Sequence, residues 1–142
     1  MRYSPNCIYS LALHSDAEAD LDHIYEEDED AGSDIAVFLE EAKNNQETLD
    51  NLTRKGYVQY GEWPFSVDEW EEAKRSRYNL WRIRLLWLDG AASKYRIIYA
   101  FHTVEYRYYI LGIVNRNFNY DLQHERSKQI LAACDALNIP RY

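Results

Sequence analysis

Two arginines stand two residues apart in Trp81-Arg82-Ile83-Arg84-Leu85. Read as a strand, this run places Trp81, Ile83 and Leu85 on one face and Arg82 and Arg84 on the other. Arg96 follows inside Tyr95-Arg96-Ile97-Ile98-Tyr99, and Arg116 follows the next apolar run. If the strands pair in order, these arginines converge on one surface. Guanidinium groups match phosphate in a planar, bidentate geometry, and Tyr and Trp rings nearby can stack on bases. Residue types alone leave two readings open. One is a phosphate-binding surface; the other is a set of solvent-side strand residues, Arg82, Arg84 and Arg107, some paired with the acidic part of the chain.

Other candidates for chemistry are weaker. His14, His23, His102 and His124 have no metal-type partner at i+4, and the chain has no HExxH. His124 opens the last predicted helix, where it can cap that helix or act as a proton-transfer group. Cys7 and Cys134 lie far apart without a CxxC spacing and read as two buried, reduced thiols. The run Glu26-Glu27-Asp28-Glu29-Asp30 lacks the alternating ligands and central glycine of an EF-hand loop, so it reads as a solvated helix end. As a binding feature it suits a basic partner. There is neither a Gly-rich phosphate loop nor a GxSxG motif.

The elements that must position the arginines follow from the hydrophobic period. Ile8 to Leu13 predicts a short strand. Ser15-Asp16-Ala17-Glu18 matches a capping box, and Ala17, Leu21, Ile24 and Tyr25 then repeat as one face of a helix. Ala31-Gly32-Ser33 predicts a break, followed by a second helix carrying Ile35, Phe38, Leu39 and Ala42. Leu49 and Leu52 suit a further helical turn. Residues 55–65 read as a loop, and Ser66-Val67-Asp68-Glu69 as a second capping box that opens a short helix over 67–75. From Asn79 the period becomes strand-like. Strands are predicted from Leu80 to Leu88, Lys94 to Phe101 and Tyr106 to Val114, with a hairpin signal at Asp89-Gly90. Short connections make these strands antiparallel neighbours. Asn119 or Asp121 caps a last helix, with Ile130, Leu131, Cys134 and Leu137 on one face. The expected fold is α+β: an N-terminal strand and αα-hairpin packed on a small antiparallel sheet, closed by a C-terminal helix, with the other sheet face wet.

Bulk properties set limits. A chain of 142 residues, 46% hydrophobic, suits one domain with a real core. Many of its 13 tyrosines should lie half-buried with their polar tips in water. No apolar run reaches the roughly 18 residues of a membrane span, and no cleavable signal pattern follows Met1, so a cytoplasmic protein is expected. The net charge of −8 is unevenly spread. Residues 1–76 hold 6 basic and 19 acidic side chains, whereas residues 77–116 hold 7 basic and 2 acidic. Polyanions should therefore meet this protein only at the predicted sheet.

The runs Asn79-Leu80-Trp81-Arg82-Ile83-Arg84, Tyr95-Arg96-Ile97-Ile98-Tyr99, Tyr108-Tyr109-Ile110-Leu111-Gly112-Ile113-Val114-Asn115-Arg116 and Phe118-Asn119-Tyr120-Asp121 together resemble the RelE/ParE superfamily of bacterial toxins. The resemblance covers most of the chain, apart from about residues 55–77, which look like an insertion. It implies the toxin of a type II toxin–antitoxin system, neutralised by a cognate antitoxin protein. RelE-like members are ribosome-dependent mRNA endonucleases that need neither metal nor cofactor; ParE-like members inhibit DNA gyrase without breaking bonds themselves. One fold hosts both targets.

Carried over by position, the resemblance implies a catalytic set of Arg82, Arg84, Arg96, Arg116 and Tyr120. The implied reaction is attack of a 2′-hydroxyl on its adjacent phosphate, which needs a proton acceptor, a proton donor and stabilisation of the phosphorane. Arg96 and Arg116 would clamp the developing charge, and Tyr120 would stack on or orient a base. Relatives have lysine where this chain has Arg82 and Arg84, and arginine is a poor base at neutral pH. That leaves His124 or Tyr120 to move the proton. A second departure is the acidic net charge, since ribosome-bound toxins are usually basic. A third reading is an inactive or regulatory chain whose main act is to bind an antitoxin.

Overall fold

The computed structural model describes residues 8–86 and 91–142, the side chains of 91 and 92 excepted. Cys7, the N-terminal run, the Asp89-Gly90 turn and the end of the predicted Leu80–Leu88 strand lie outside them. The chain is α+β. In order it forms β1 (Ser10–Leu13), α1 (Ser15–Glu27), α2 (Glu29–Lys43), α3 (Gln46–Asp50), β2 (Val58–Gln59), β3 (Phe65–Glu69), α4 (Glu71–Arg75), β4 (Leu80–Leu85), a 3-10 turn at Ala91–Lys94, β5 (Tyr95–His102), β6 (Arg107–Asn115) and α5 (Glu125–Ala136).

The sheet is larger than expected, and it is mixed. Its six strands run β1-β6-β5-β4-β3-β2. From β2 to β6 each successive pair is antiparallel, whereas β1 lies parallel to β6. β1 and β6 are separated in the chain by every other strand, so no tight hairpin fixes their relative direction. The additional strands come from residues read as loop and helix. Ser66-x-x-Glu69 is no capping box: Phe65, Val67 and Glu69 are buried alternately, and β3 pairs along its length with β4. Helical structure starts only at Glu71. A Ser-x-x-Glu spacing fits a helix start and a strand equally well, and pairing decides between them.

Two helix boundaries also differ. His14, with Nδ1 accepting the Asp16 N–H at 3.1 Å, caps α1 in place of Ser15. The break between α1 and α2 falls at Asp28, whose carboxylate accepts the Ala31 N–H at 3.1 Å. Gly32 is inside α2; a β-carbon there would stand 2.8 Å from the Tyr25 ring, so the glycine serves helix contact and ends nothing.

The sheet carries helices on both faces, unlike the one-sided cover expected. On the first face α1, α2 and α3 bury Phe65, Val67, Trp81, Ile83, Leu85, Ile97, Tyr99, Tyr108, Ile110 and Ile113. Tyr99 and Tyr108 are wholly buried here, not half-buried, and each hydroxyl donates at 2.6 Å to a carbonyl near α3, of Leu52 and Leu49 respectively. On the second face α5 and Trp70 cover Leu80, Ile98, Ala100, Leu111 and Val114. β1 ends at Leu13, opposite Ile110. Beyond it the Ile113 N–H donates to Asp20 Oδ2 at 2.9 Å, and that oxygen also meets Arg126 at 2.6 Å. α1 and α5 are thereby tied to the same strand. No helix among the described residues is long and apolar enough to cross a membrane.

Candidate functional site

The alternation read from β4 holds. Trp81, Ile83 and Leu85 enter the first-face core, while Arg82 and Arg84 point to the second face. α5 covers only one end of that face. At the other end Ser66, Asp68, Arg82, Arg84, Arg96, Arg116 and Tyr120 line a cavity of about 240 Å³. All five residues implied by the resemblance are therefore brought together.

Strand register explains the convergence. Ser66, Arg84 and Arg96 are successive cross-strand partners on β3, β4 and β5, and Asp68 pairs with Arg82 one step along. Arg116 directly follows β6, and its backbone N–H donates to Lys94 O at 2.6 Å, fixing the turn beside Arg96. Tyr120 is held from its back. Its carbonyl accepts the Trp70 indole N–H at 3.0 Å, and its ring packs edge-on against Trp70 and Phe118 at 5.5 and 4.9 Å. The loop around it is tightened by Asn119 and Asp121, whose side chains accept N–H groups two residues on. Those two residues stop the loop, and His124 occupies the α5 cap position.

Four cations share this cavity with one carboxylate. Arg82 meets Asp68 Oδ2 at 3.2 Å and lies 4.9 Å over the Tyr120 ring. Burial opposes the Arg82 charge, but the nearby Tyr120 hydroxyl and the Asp68 carboxylate outweigh it, so the guanidinium pKa lies above its usual value. Arg96 goes the other way: burial, then Arg84, and to a smaller degree Arg82 and Arg116, push its pKa down, with only Tyr120 opposing. Its NH1 donates to the carbonyls of Ser93 at 2.9 Å and Tyr95 at 3.1 Å, with no carboxylate. Arg84 and Arg116 make no ion pair with any described residue. Arg84 directly faces Arg96 across the ladder, an arrangement that destabilises a sheet. The Tyr120 hydroxyl oxygen is buried on the Arg82 side of the cavity. Guanidinium groups gathered around one cavity with a single carboxylate can hold an anion.

His124 is not part of it. The ring is exposed, 6.1 Å from Phe118, and does not line the cavity. Residue order placed it near Tyr120, but its cap position turns it to solvent. Arg107 lies elsewhere, donating to Ser10 Oγ at 3.0 Å. Asp68 and Ser66 are the site residues that sequence reasoning missed; the alternation Phe65-Ser66-Val67-Asp68 was their signal. A second cavity of about 200 Å³ shares Arg82 and Tyr120 and adds Trp70, Arg75 and the carboxylates of Glu69, Glu71 and Glu72. No group of three His, Cys, Asp or Glu side chains able to hold a metal ion occurs among the described residues. Compared with known proteins, the chain matches no family model, no curated protein and no solved structure.

Proposed function

We propose that this protein is a RelE-like toxin of a type II toxin–antitoxin system, a cytoplasmic, ribosome-dependent mRNA endonuclease that inhibits translation. The observation that carries the reading is the meeting of Arg82, Arg84, Arg96, Arg116 and Tyr120 at one pocket, three of the cations lacking a carboxylate partner there. An RNA phosphodiester supplies the missing charge. In the reaction, Arg96 and Arg116 hold the non-bridging phosphate oxygens and oppose the charge that grows on the phosphorane. Arg96 is pre-set by two backbone carbonyls, so little rearrangement is needed at that moment. Arg82 stacks on Tyr120 and keeps that ring at the mouth. The acidic α1–α2 half repels the RNA backbone and restricts it to this face. A cognate antitoxin is the expected partner that keeps the pocket closed in growing cells.

The test is induction of the protein without antitoxin, with RNA 5′ ends mapped and macromolecular synthesis followed. The expected outcome is early arrest of translation with new ends inside ribosome-bound mRNA. Intact mRNA together with DNA-damage signals would instead indicate the ParE-like reading, inhibition of DNA gyrase by binding alone.

A further inference from the structure

In-line cleavage by a 2′-hydroxyl requires a group that takes its proton. His124 stands outside the pocket, and a guanidinium does not give up its proton at neutral pH. Among the lining residues Asp68 is the one carboxylate. It belongs to β3, in the stretch that reads as an insertion, and so lies outside the arginine-bearing strands that carry the resemblance. Its Oδ1 accepts the Glu69 N–H at 2.8 Å, and its Oδ2 meets Arg82 NH2 at 3.2 Å. Those contacts fix the orientation of the carboxylate and leave lone pairs on both oxygens. About half of the side chain, 47%, is open to the pocket and solvent, so a substrate hydroxyl can reach it. Across Arg82 stands the Tyr120 ring, 4.9 Å from the guanidinium. A proton acceptor thus stands beside a cation at the place where the phosphate would bind.

We infer that Asp68 is the proton acceptor of the cleavage reaction, an inference that rests on the function proposed above. The 2′-hydroxyl gives its proton to Asp68 as its oxygen bonds to phosphorus. The P–O5′ bond breaks, and the leaving oxygen keeps the electron pair and takes a proton from water. The products are a 2′,3′-cyclic phosphate and a 5′-hydroxyl. Proton release to water returns Asp68 to carboxylate, so no oxidant or reductant is consumed.

The experiment measures single-turnover cleavage of ribosome-bound mRNA by the purified full chain, as wild type, Asp68→Asn and Asp68→Glu. Affinity is measured in parallel with mRNA carrying a 2′-deoxynucleotide at the wild-type cleavage position, which binds but cannot react. Asn preserves the contact to the Glu69 N–H, and a melting curve checks the fold; Asp68→Thr, well suited to a strand, stands in if the amide disturbs it. The expected result is a rate loss of about 10²–10⁴-fold with affinity within about threefold of wild type. Asp68→Glu should recover part of the rate. Cleavage by Asp68→Asn near the wild-type rate overturns the inference, as does an affinity loss that matches the rate loss. No cleavage by the wild type would remove the proposed function and this role with it, which separates the two failures.

Discussion

Two halves of one sheet face differ in what they are built to do. Under α5, the second face presents Leu80, Ile98, Ala100 and Leu111, all nearly devoid of solvent contact. One or two pleats further along the same strands, that face presents Arg82, Arg84 and Arg96. The covered half is packed to stabilise. The open half places like charges opposite one another, which opposes folding. An arrangement that the fold must offset elsewhere points to a ligand that completes it.

The contrast can be broken first by removing cations. The Arg96→Ala, Arg116→Ala double variant should lose cleavage and growth arrest by about 10³-fold or more, since loss of one charge-stabilising donor alone typically costs 10²–10³-fold. Its chemical denaturation midpoint should not fall. Full toxicity of this variant would mean that the open half is inert.

The covered half should answer in the opposite sense. Ile98→Ala, at a fully buried position, should cost about 2–5 kcal/mol in urea unfolding while leaving the arginines in register. A third measurement separates the halves by pH. Burial pushes the Cys134 thiol up to about 12 from an ordinary 9. A folded-state pKa above the unfolded one means stability is complete below about pH 9 and is lost as pH rises toward 12. Replacing Cys134 with Ala should weaken that alkaline dependence, read as the change in melting temperature between pH 8 and pH 11.

The smallest expected effect is the most telling about the open half. Arg84→Thr replaces one of two facing cations with a good strand residue, and should raise stability by on the order of 0.5 kcal/mol. Added salt should stabilise the wild type more than this variant, because screening acts on the repulsion that Arg84 contributes. Lower stability for Arg84→Thr at low salt would show that the arginines support the sheet.

Much of this was legible in the residues. Period-2 alternation in β4 and β5 separates core from cation without any knowledge of partners, and helix-period stripes in α1, α2 and α5 mark their buried sides, Tyr25 of the α1 stripe excepted, which is exposed. The misread positions share one property: their local pattern fits two structures. Ser66-Val67-Asp68-Glu69 has the spacing of a helix cap and the alternation of a strand. His14 and Ser15 both suit an N-cap. His124 is close to Tyr120 in the chain, but the α5 cap directs it outward. The direction of β1 left no mark in its own residues, since parallel and antiparallel pairing of four residues look alike from one strand.

What the chain order alone determined is which residues share a strand face and where positive charge gathers, because side-chain direction repeats with the local backbone. Which part of that face α5 covers, and that β3 brings Asp68 beside Arg82, only the tertiary structure decided. Those outcomes depend on strand pairing and helix docking, where a residue's neighbours come from tens of positions away and a one-residue slip would turn every side chain to the other face.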